Sequence, residues 1–410
     1  RGGSVDNSDV SFPRDVNLGE KDGAFHNMSR EYVTYSLEQN PLVAMRKECF
    51  GAYDLIYMAH NPETQGGALP PGAGKDEIRG VIIERLKDAF LGLEEGCRDG
   101  TISSYGVCSN GLSLPKDHAM FLDWKDVIRA ACEAAAQVHG NPIAPKLSTI
   151  QLPANLLETN GLSVAKDIKA HVTDNHSLPS SLSTYIYRPL TCYPDLGTTQ
   201  SYPFKLTDYL IPLSLTAINN NTSSDPSITK STHLIPNLPP FYQSTLNLAL
   251  NHFDAHDIVL QSQSSSSPPL TTDQRETLEG CRLLQSMIHD LDAKLSEWRS
   301  VAAHQDEIMN RVIPLVAERF EGMDEESGAV LQGFFAAYGT AVKHAVAKNT
   351  RGVLRDGVDG GAVYDVSEDM TLQEFALGFL VGREEVDKVV LGCSHVTHVR
   401  EAIGIVKKVL

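Results

Sequence analysis

This sequence has no surplus of positive charge, no long apolar run and no paired cysteines, and each absence removes a class of function. Its 410 residues hold 35 lysines and arginines against 52 aspartates and glutamates, a net charge of −17. A nucleic-acid partner needs a basic footprint, so none is expected. No stretch approaches the roughly 20 apolar residues that span a bilayer, so no membrane helix is expected. The seven cysteines are scattered, odd in number and without a C-x-x-C pair. That argues against a complete disulfide framework and for a reducing compartment, the cytoplasm or an organelle matrix. N-x-S/T triplets at Asn27, Asn175, Asn220 and Asn221 are short enough to arise by chance.

Two phosphate-binding signatures are missing as well. No strand is followed by G-x-G-x-x-G. Gly74-Lys75 fails as a Walker loop, because Leu69 stands where a glycine is needed and Asp76 follows the lysine. The chain opens on Arg1 and its first methionine is Met28, so further residues are expected upstream.

What is present describes a globular protein, with 41% hydrophobic and 21% charged residues and room for one large domain or two ordinary ones. Residues 53–59 read Y-D-L-I-Y-M-A. Near-continuous hydrophobicity predicts a parallel strand covered on both faces. It delivers His60, Asn61, Pro62 and Glu63 at its C-terminal end, where Pro62 stops it. Taken alone, His60 fits a satisfied core histidine equally well. Ahead of it, residues 1–27 form a polar arm. Residues 28–49 read as helix, capped by Ser29 and divided at Pro41. After it come a loop at 64–75 and an amphipathic helix at 76–95. Strands at 102–110, 147–153 and 183–190 alternate with helices at 124–138 and 163–171. The pattern returns near the C-terminus as a helix at 372–380, a strand at 386–391 and a last helix from 397.

Five strands alternating with helices predict a parallel sheet with crossover helices. Polar residues from several strand ends, His60, Ser109, Asn110, Gln151, Tyr187, Gly392 and Ser394, are the layout of a (β/α)₈ barrel site. An open doubly wound sheet is the rival and would bring a glycine-rich first turn. Between residues 191 and 371 the alternation breaks. Stretches 198–240 and 262–269 are rich in Ser, Thr, Asn and Pro and read as flexible. Helices are expected at 243–253, 272–319 and 332–348. Leu278, Leu284, Ile288, Leu291, Leu295 and Trp298 recur at helical spacing, for packing in the first instance and for a protein partner in the second. The expected organisation is an arm at 1–27 and an α/β barrel over 28–410. A mostly helical insertion at 198–360 interrupts that barrel.

These pieces together resemble the aldo-keto reductase superfamily, in the subgroup that reads H-N-P-E after its fourth strand. Y-D-L-I-Y-M-A-H-N-P-E is similar to the fourth barrel strand, and Y-G-V-C-S-N to the fifth. S-T-I-Q-L-P-A-N-L-L-E resembles the sixth, Y-I-Y-R-P-L the seventh, and L-G-C-S-H-V-T-H-V-R-E-A-I the eighth with its phosphate loop. The resemblance covers residues 28–190 and 370–410. It implies a TIM-type barrel in which NADP(H) reduces an aldehyde or ketone. On this likeness His60 would polarise the carbonyl. Ser109, Asn110 and Gln151 would hold the nicotinamide carboxamide and Tyr187 would stack on its ring. Gly392, Ser394, His398 and Glu401 would face the adenosine end. His398 stands where the family often has Arg, and Ala402 where it often has Asn, which leaves NAD(H) open. The family's Asp, Tyr and Lys partners of the histidine have no match, and its first three strand–helix units are expected upstream of Arg1. A non-catalytic barrel using its insertion as an interaction platform is the alternative, and a lyase-type barrel the third reading.

Overall fold

A computed structural model describes residues 16–17, 25–48, 53–141, 143–174, 182–193, 203–208, 269–319, 325–357, 363–367 and 370–409. The chain is mixed α/β and divides into two compact units. One comprises Arg1–Pro189 with Ala376–Leu410, the other Leu190–Phe375.

The first unit is built on five parallel strands. They are β1 (Ile56–His60), β2 (Ser104–Cys108), β3 (Leu147–Pro153), β4 (Ser183–Tyr187) and β5 (Lys388–Val390), side by side in that order. The register pairs His60 with Cys108, Cys108 with Gln151, Pro153 with Tyr187 and Tyr187 with Val390. Every C-terminal end therefore lies at one end of the sheet. The central strands carry the burial: Tyr105, Val107, Cys108, Ile150 and Leu152 are fully enclosed. Among the described residues β1 and β5 have no outer neighbour, and Ile56 and Val390 on them are 37% and 39% exposed.

The helices follow from local rules. Helix α1 (Arg30–Gln39) starts where the Ser29 hydroxyl accepts from the Tyr32 amide at 3.2 Å. Pro41 then opens α2 (Pro41–Glu48), at a first position that needs no N–H. Helix α3 (Lys75–Arg98) buries Ile82, Leu86, Phe90 and Leu93 along one stripe, packing on α1 and on α4 (Trp124–His139). Each such side chain contributes roughly 1.5–3 kcal/mol when enclosed. Gly92 lets α1 approach, since a Cβ there would sit 3.1 Å from the Arg30 carbonyl oxygen. Helix α5 (Asn160–Asp174) leads into β4. The expected loop at 64–75 instead opens with a short 3₁₀ helix, Pro62–Ala68, because proline at its first position is preset for helical φ. In the expected polar arm, Val16–Asn17 and Phe25–His26 form a small antiparallel ladder; Asn27 is also described, and residues 1–15 and 18–24 lie outside the described set.

Gly106, in the middle of β2, is a point of close approach. A Cβ there would meet Met58 Sδ at 2.6 Å and the Thr149 carbonyl at 2.7 Å. Gly106→Ala is expected to lower stability by roughly 1–3 kcal/mol, the usual cost of overpacking, read as a fall in urea midpoint.

The second unit is helical, with α6 (Thr272–Lys294), α7 (Val301–Glu307), α8 (Ile313–Arg319) and α9 (Glu325–Asp356). The single helix expected over 272–319 is broken. After Lys294 comes a 3₁₀ turn, Leu295–Glu297. Ser300 then caps α7, its hydroxyl accepting from the Ala302 and Ala303 amides at 3.2 and 3.5 Å. A π turn, Ile308–Val312, joins α7 to α8. Leu291, Leu295 and Trp298 of the predicted stripe pack with Ile308, Val312, Phe334, Tyr338, Val342 and Val346. The side chains of Leu278, Leu284 and Ile288 lie outside the described residues.

Residues 203–208, inside the stretch expected to be flexible, hold structure. Phe204–Lys205 pairs antiparallel with Thr191–Cys192. The Asp208 carboxylate accepts from the Leu372 amide at 2.9 Å and from Arg351 at 2.7 Å. The remainder of 198–240, residues 262–268 and the helix expected at 243–253 lie outside the described residues. The expected terminal elements are present as α10 (Leu372–Val381), β5 and α11 (Val396–Val409). Among the described residues no helix is long and apolar enough to cross a membrane.

Candidate functional site

The C-terminal ends of β1 to β4 converge through a chain of hydrogen bonds. Two non-glycine residues have left-handed backbone among those described, Asn61 (φ 52°) and Arg188 (φ 59°). Each directly follows a strand-end residue, His60 and Tyr187. Asparagine tolerates that region, whereas arginine there is strained, and strain of this kind gathers at functional sites. The reversal at Asn61 turns the chain into the 3₁₀ helix and brings Glu63 under the end of β2.

Glu63 is 6% exposed, and its carboxylate organises the strand ends. One oxygen accepts from the Ser109 hydroxyl at 2.5 Å. The other accepts from the Asn110 backbone and side-chain amides at 3.1 and 3.0 Å. Ser109 in turn accepts from the Gly111 amide at 3.0 Å. The Tyr187 hydroxyl donates to Asn110 Oδ1 at 2.7 Å. Burial, with Cys108 and Glu63 adding, raises the Tyr187 pKa, so the phenol keeps its proton. Burial likewise pushes the Cys108 thiol up to about 12, which makes it an inert core residue.

Arg188 is held beside this network. Its guanidinium lies 5.6 Å from the Tyr187 ring centroid and donates to Glu158 at 2.8 Å. Asn155, at the end of β3, accepts from the Leu157 and Glu158 amides at 2.9 Å each, a local turn that presents Glu158.

His60 is exposed at the edge of the sheet, with its backbone carbonyl facing His26 Nε2 at 2.7 Å. Gln65 fixes the His26 tautomer. Its amide nitrogen reaches His26 Nδ1 at 2.6 Å and the His26 carbonyl at 2.8 Å, while its oxygen accepts from Arg85 at 2.5 Å. His26 Nδ1 is therefore the acceptor and Nε2–H the donor to His60. Desolvation lowers the pKa of both imidazoles, with Glu63 opposing it in each, so both rings are neutral at neutral pH.

The remaining predicted residues fall into four groups. Asn110 and Tyr187 are bonded to each other. Gln151 sits beside Cys108 in register, half-exposed, and its amide has no hydrogen-bond partner among the described residues. Ser109 is fully buried and turned onto Glu63, so it supports Asn110 from behind. Gly392, Ser394 and His398 are exposed beyond β5, on the approach to α11 and within it, and Glu401 is half-buried one turn on. The His398 ring lies 6.2 Å from that of His395.

Glu63, Gln65 and His26 were not among the residues expected to matter. The signal for Glu63 is an acid one residue past a proline that ends a strand, which a sequence shows as an ordinary loop. No group of three or more His, Cys, Asp or Glu residues among those described could hold a metal ion. No protein-family model and no curated protein matches this sequence.

Proposed function

We propose that the strand ends cradle the nicotinamide of NADP(H), with NAD(H) as the other candidate, in an oxidoreductase of aldo-keto reductase type that reduces an aldehyde or ketone. The observation that supports this reading most is the donor set around Asn110. The amide has given one N–H to Glu63 and one lone pair to Tyr187, which leaves one N–H and one lone pair. That remainder complements a primary carboxamide. Gln151 adds a second uncommitted amide from the adjacent strand. Tyr187, held at its hydroxyl, offers a fixed aromatic face for a flat ring. Ser394 and His398, near the start of α11, would face the phosphate end of such a ligand, as helix N-termini favour anions.

When bound, the nicotinamide supplies hydride. His60, neutral and exposed at the same end of the sheet, is suited to donate a hydrogen bond to a carbonyl oxygen. The tyrosine that delivers a proton in the resembled family has no match in these residues. General acid catalysis is worth roughly 10² to 10⁴ in rate, so this chain is expected to bind the cofactor but not to reduce carbonyls by itself. A (β/α)₈ barrel is the architecture this reading implies. It calls for three strand–helix units beyond the five described, between the outer edges of β1 and β5.

The test is a titration of NADPH followed by its fluorescence. Tyr187→Ala and Gln151→Ala are each expected to weaken binding roughly tenfold or more, the cost of a lost stacking face or hydrogen-bonding amide. Lys87→Ala, on the outer surface of α3, should leave it unchanged. A second reading, a non-catalytic platform, is favoured by Met309 and Ile313, exposed by 61% and 38% one turn apart in the helical unit. It requires that NADPH not bind at all.

A further inference from the structure

Glu63 is a buried carboxylate whose partners are all neutral. Its three donors are a hydroxyl and two amides, and no ion pair reaches it among the described residues. Enclosing a carboxylate without a cation is costly, and an apolar side chain would fill the same space. What the carboxylate adds is direction. Ionised, it accepts only, so every polar hydrogen around it must point inward. The Ser109 hydroxyl has one direction left, and the Asn110 amide cannot rotate by half a turn without setting its oxygen against Glu63. The opposite side is closed too, because Tyr187 donates to the Asn110 oxygen at 2.7 Å. The polarity therefore runs in one sense, from the Tyr187 phenol through the Asn110 amide to Glu63.

From this we infer that Glu63 is a positioning residue, which fixes the Asn110 amide and, through it, the Tyr187 ring in the single orientation that a ligand at the strand ends meets. The left-handed turn at Asn61 is what brings a residue of the β1 end to the end of β2 for this purpose. Glu63 itself touches no ligand. The inference concerns the same site as the proposed cofactor cradle, and only the second arm of the test rests on that reading.

The first arm uses no ligand. The full chain is labelled at asparagine nitrogen, and the Asn110 side-chain amide is followed by NMR, with Asn110→Ser giving the assignment. In the unsubstituted protein its two protons are expected to be widely split and slow to exchange with solvent. Glu63→Met, close in volume but without an acceptor, should collapse that signature to the one of a free amide. Glu63→Gln should keep it, since its oxygen can still accept from Asn110 while Ser109 turns to accept from the new amide. Tyr187→Phe should keep it as well. Loss of the signature in Tyr187→Phe, or its persistence in Glu63→Met, overturns the proposal, and the Tyr187 variant decides the matter even if Glu63→Met does not fold. The second arm titrates NADPH. Glu63→Met should bind roughly tenfold or more weakly and Glu63→Gln within about threefold of the unsubstituted chain, as expected for one displaced amide contact. Unsubstituted protein that shows the amide signature and binds no NADPH would remove the cofactor reading and leave the positioning role standing. Equal binding by Glu63→Met and the unsubstituted chain would overturn the positioning role in recognition.

Discussion

Acidifying the protein from neutral pH to about pH 4 should destabilise the helical unit by roughly 3 kcal/mol through one residue, His304. His304 is 6% exposed, lies between the rings of Trp298 (5.3 Å) and Tyr338 (5.5 Å), and leaves its buried Nε2 without a partner. Desolvation, helped by the positive charge of Lys343, lowers its pKa to about 4. The direction follows from linkage. An unfolded histidine titrates near 6.5, so between about 6.5 and 4 the unfolded chain binds the extra proton. Stability is full above that window, falls as the pH drops through it and levels off below. The chain has two tryptophans, so Trp124→Phe leaves Trp298 as the fluorophore beside His304. Its urea midpoint should fall on acidification, and His304→Phe should remove most of that fall. The same midpoint at both ends of the window in the His304 protein would show that the imidazole is not desolvated as described.

The second large effect lies at the opposite end of the sheet from the candidate site. Glu94, fully buried on α3, accepts from the Tyr105 hydroxyl at 2.7 Å and the Lys146 amide at 2.8 Å, and lies 3.3 Å from His139 Nε2. Tyr105 lies near the start of β2 and Lys146 directly precedes β3, so these bonds tie α3 to the N-terminal end of the sheet. Glu94→Ala should cost roughly 3–5 kcal/mol, since it leaves the buried Tyr105 hydroxyl and the part-buried Lys146 amide without an acceptor and opens a cavity. Glu94→Gln should cost less, because one oxygen still accepts. The NADPH affinity of folded Glu94→Gln should match that of the unsubstituted chain. Denaturant curves together with the cofactor titration separate the two ends of the sheet.

Strand β3 was legible to the residue, because L-S-T-I-Q-L-P is apolar, partly β-branched and stopped by Pro153. The start of α1 was legible because a serine cap acts on its own first turn. What escaped depends on partners distant in the chain. The break after Lys294 runs against a stripe that continues to Trp298. Its reason is tertiary: the Trp298 indole donates to the Tyr338 hydroxyl at 3.0 Å, and Tyr338 comes from α9. Glu63 is legible only as a residue delivered at a strand end, and its role appears when Ser109 and Asn110, 46 and 47 residues later, enclose it. His26 falls in a stretch that reads as a polar arm, and its role appears only when Gln65 and the His60 carbonyl are placed around it. Local rules found the five strands, and the bounds of β3 among them. They could not find the residues that orient the strand-end side chains, because nothing local sets a hydrogen-bond direction.

A crystal structure of the chain grown with NADPH would test whether these strand ends hold a nicotinamide, as proposed. The carboxamide is expected on Gln151 and the free side of the Asn110 amide, the ring against Tyr187, and Glu63 unmoved behind them. Density for the cofactor elsewhere on the protein, or none at a concentration that saturates binding, would contradict it.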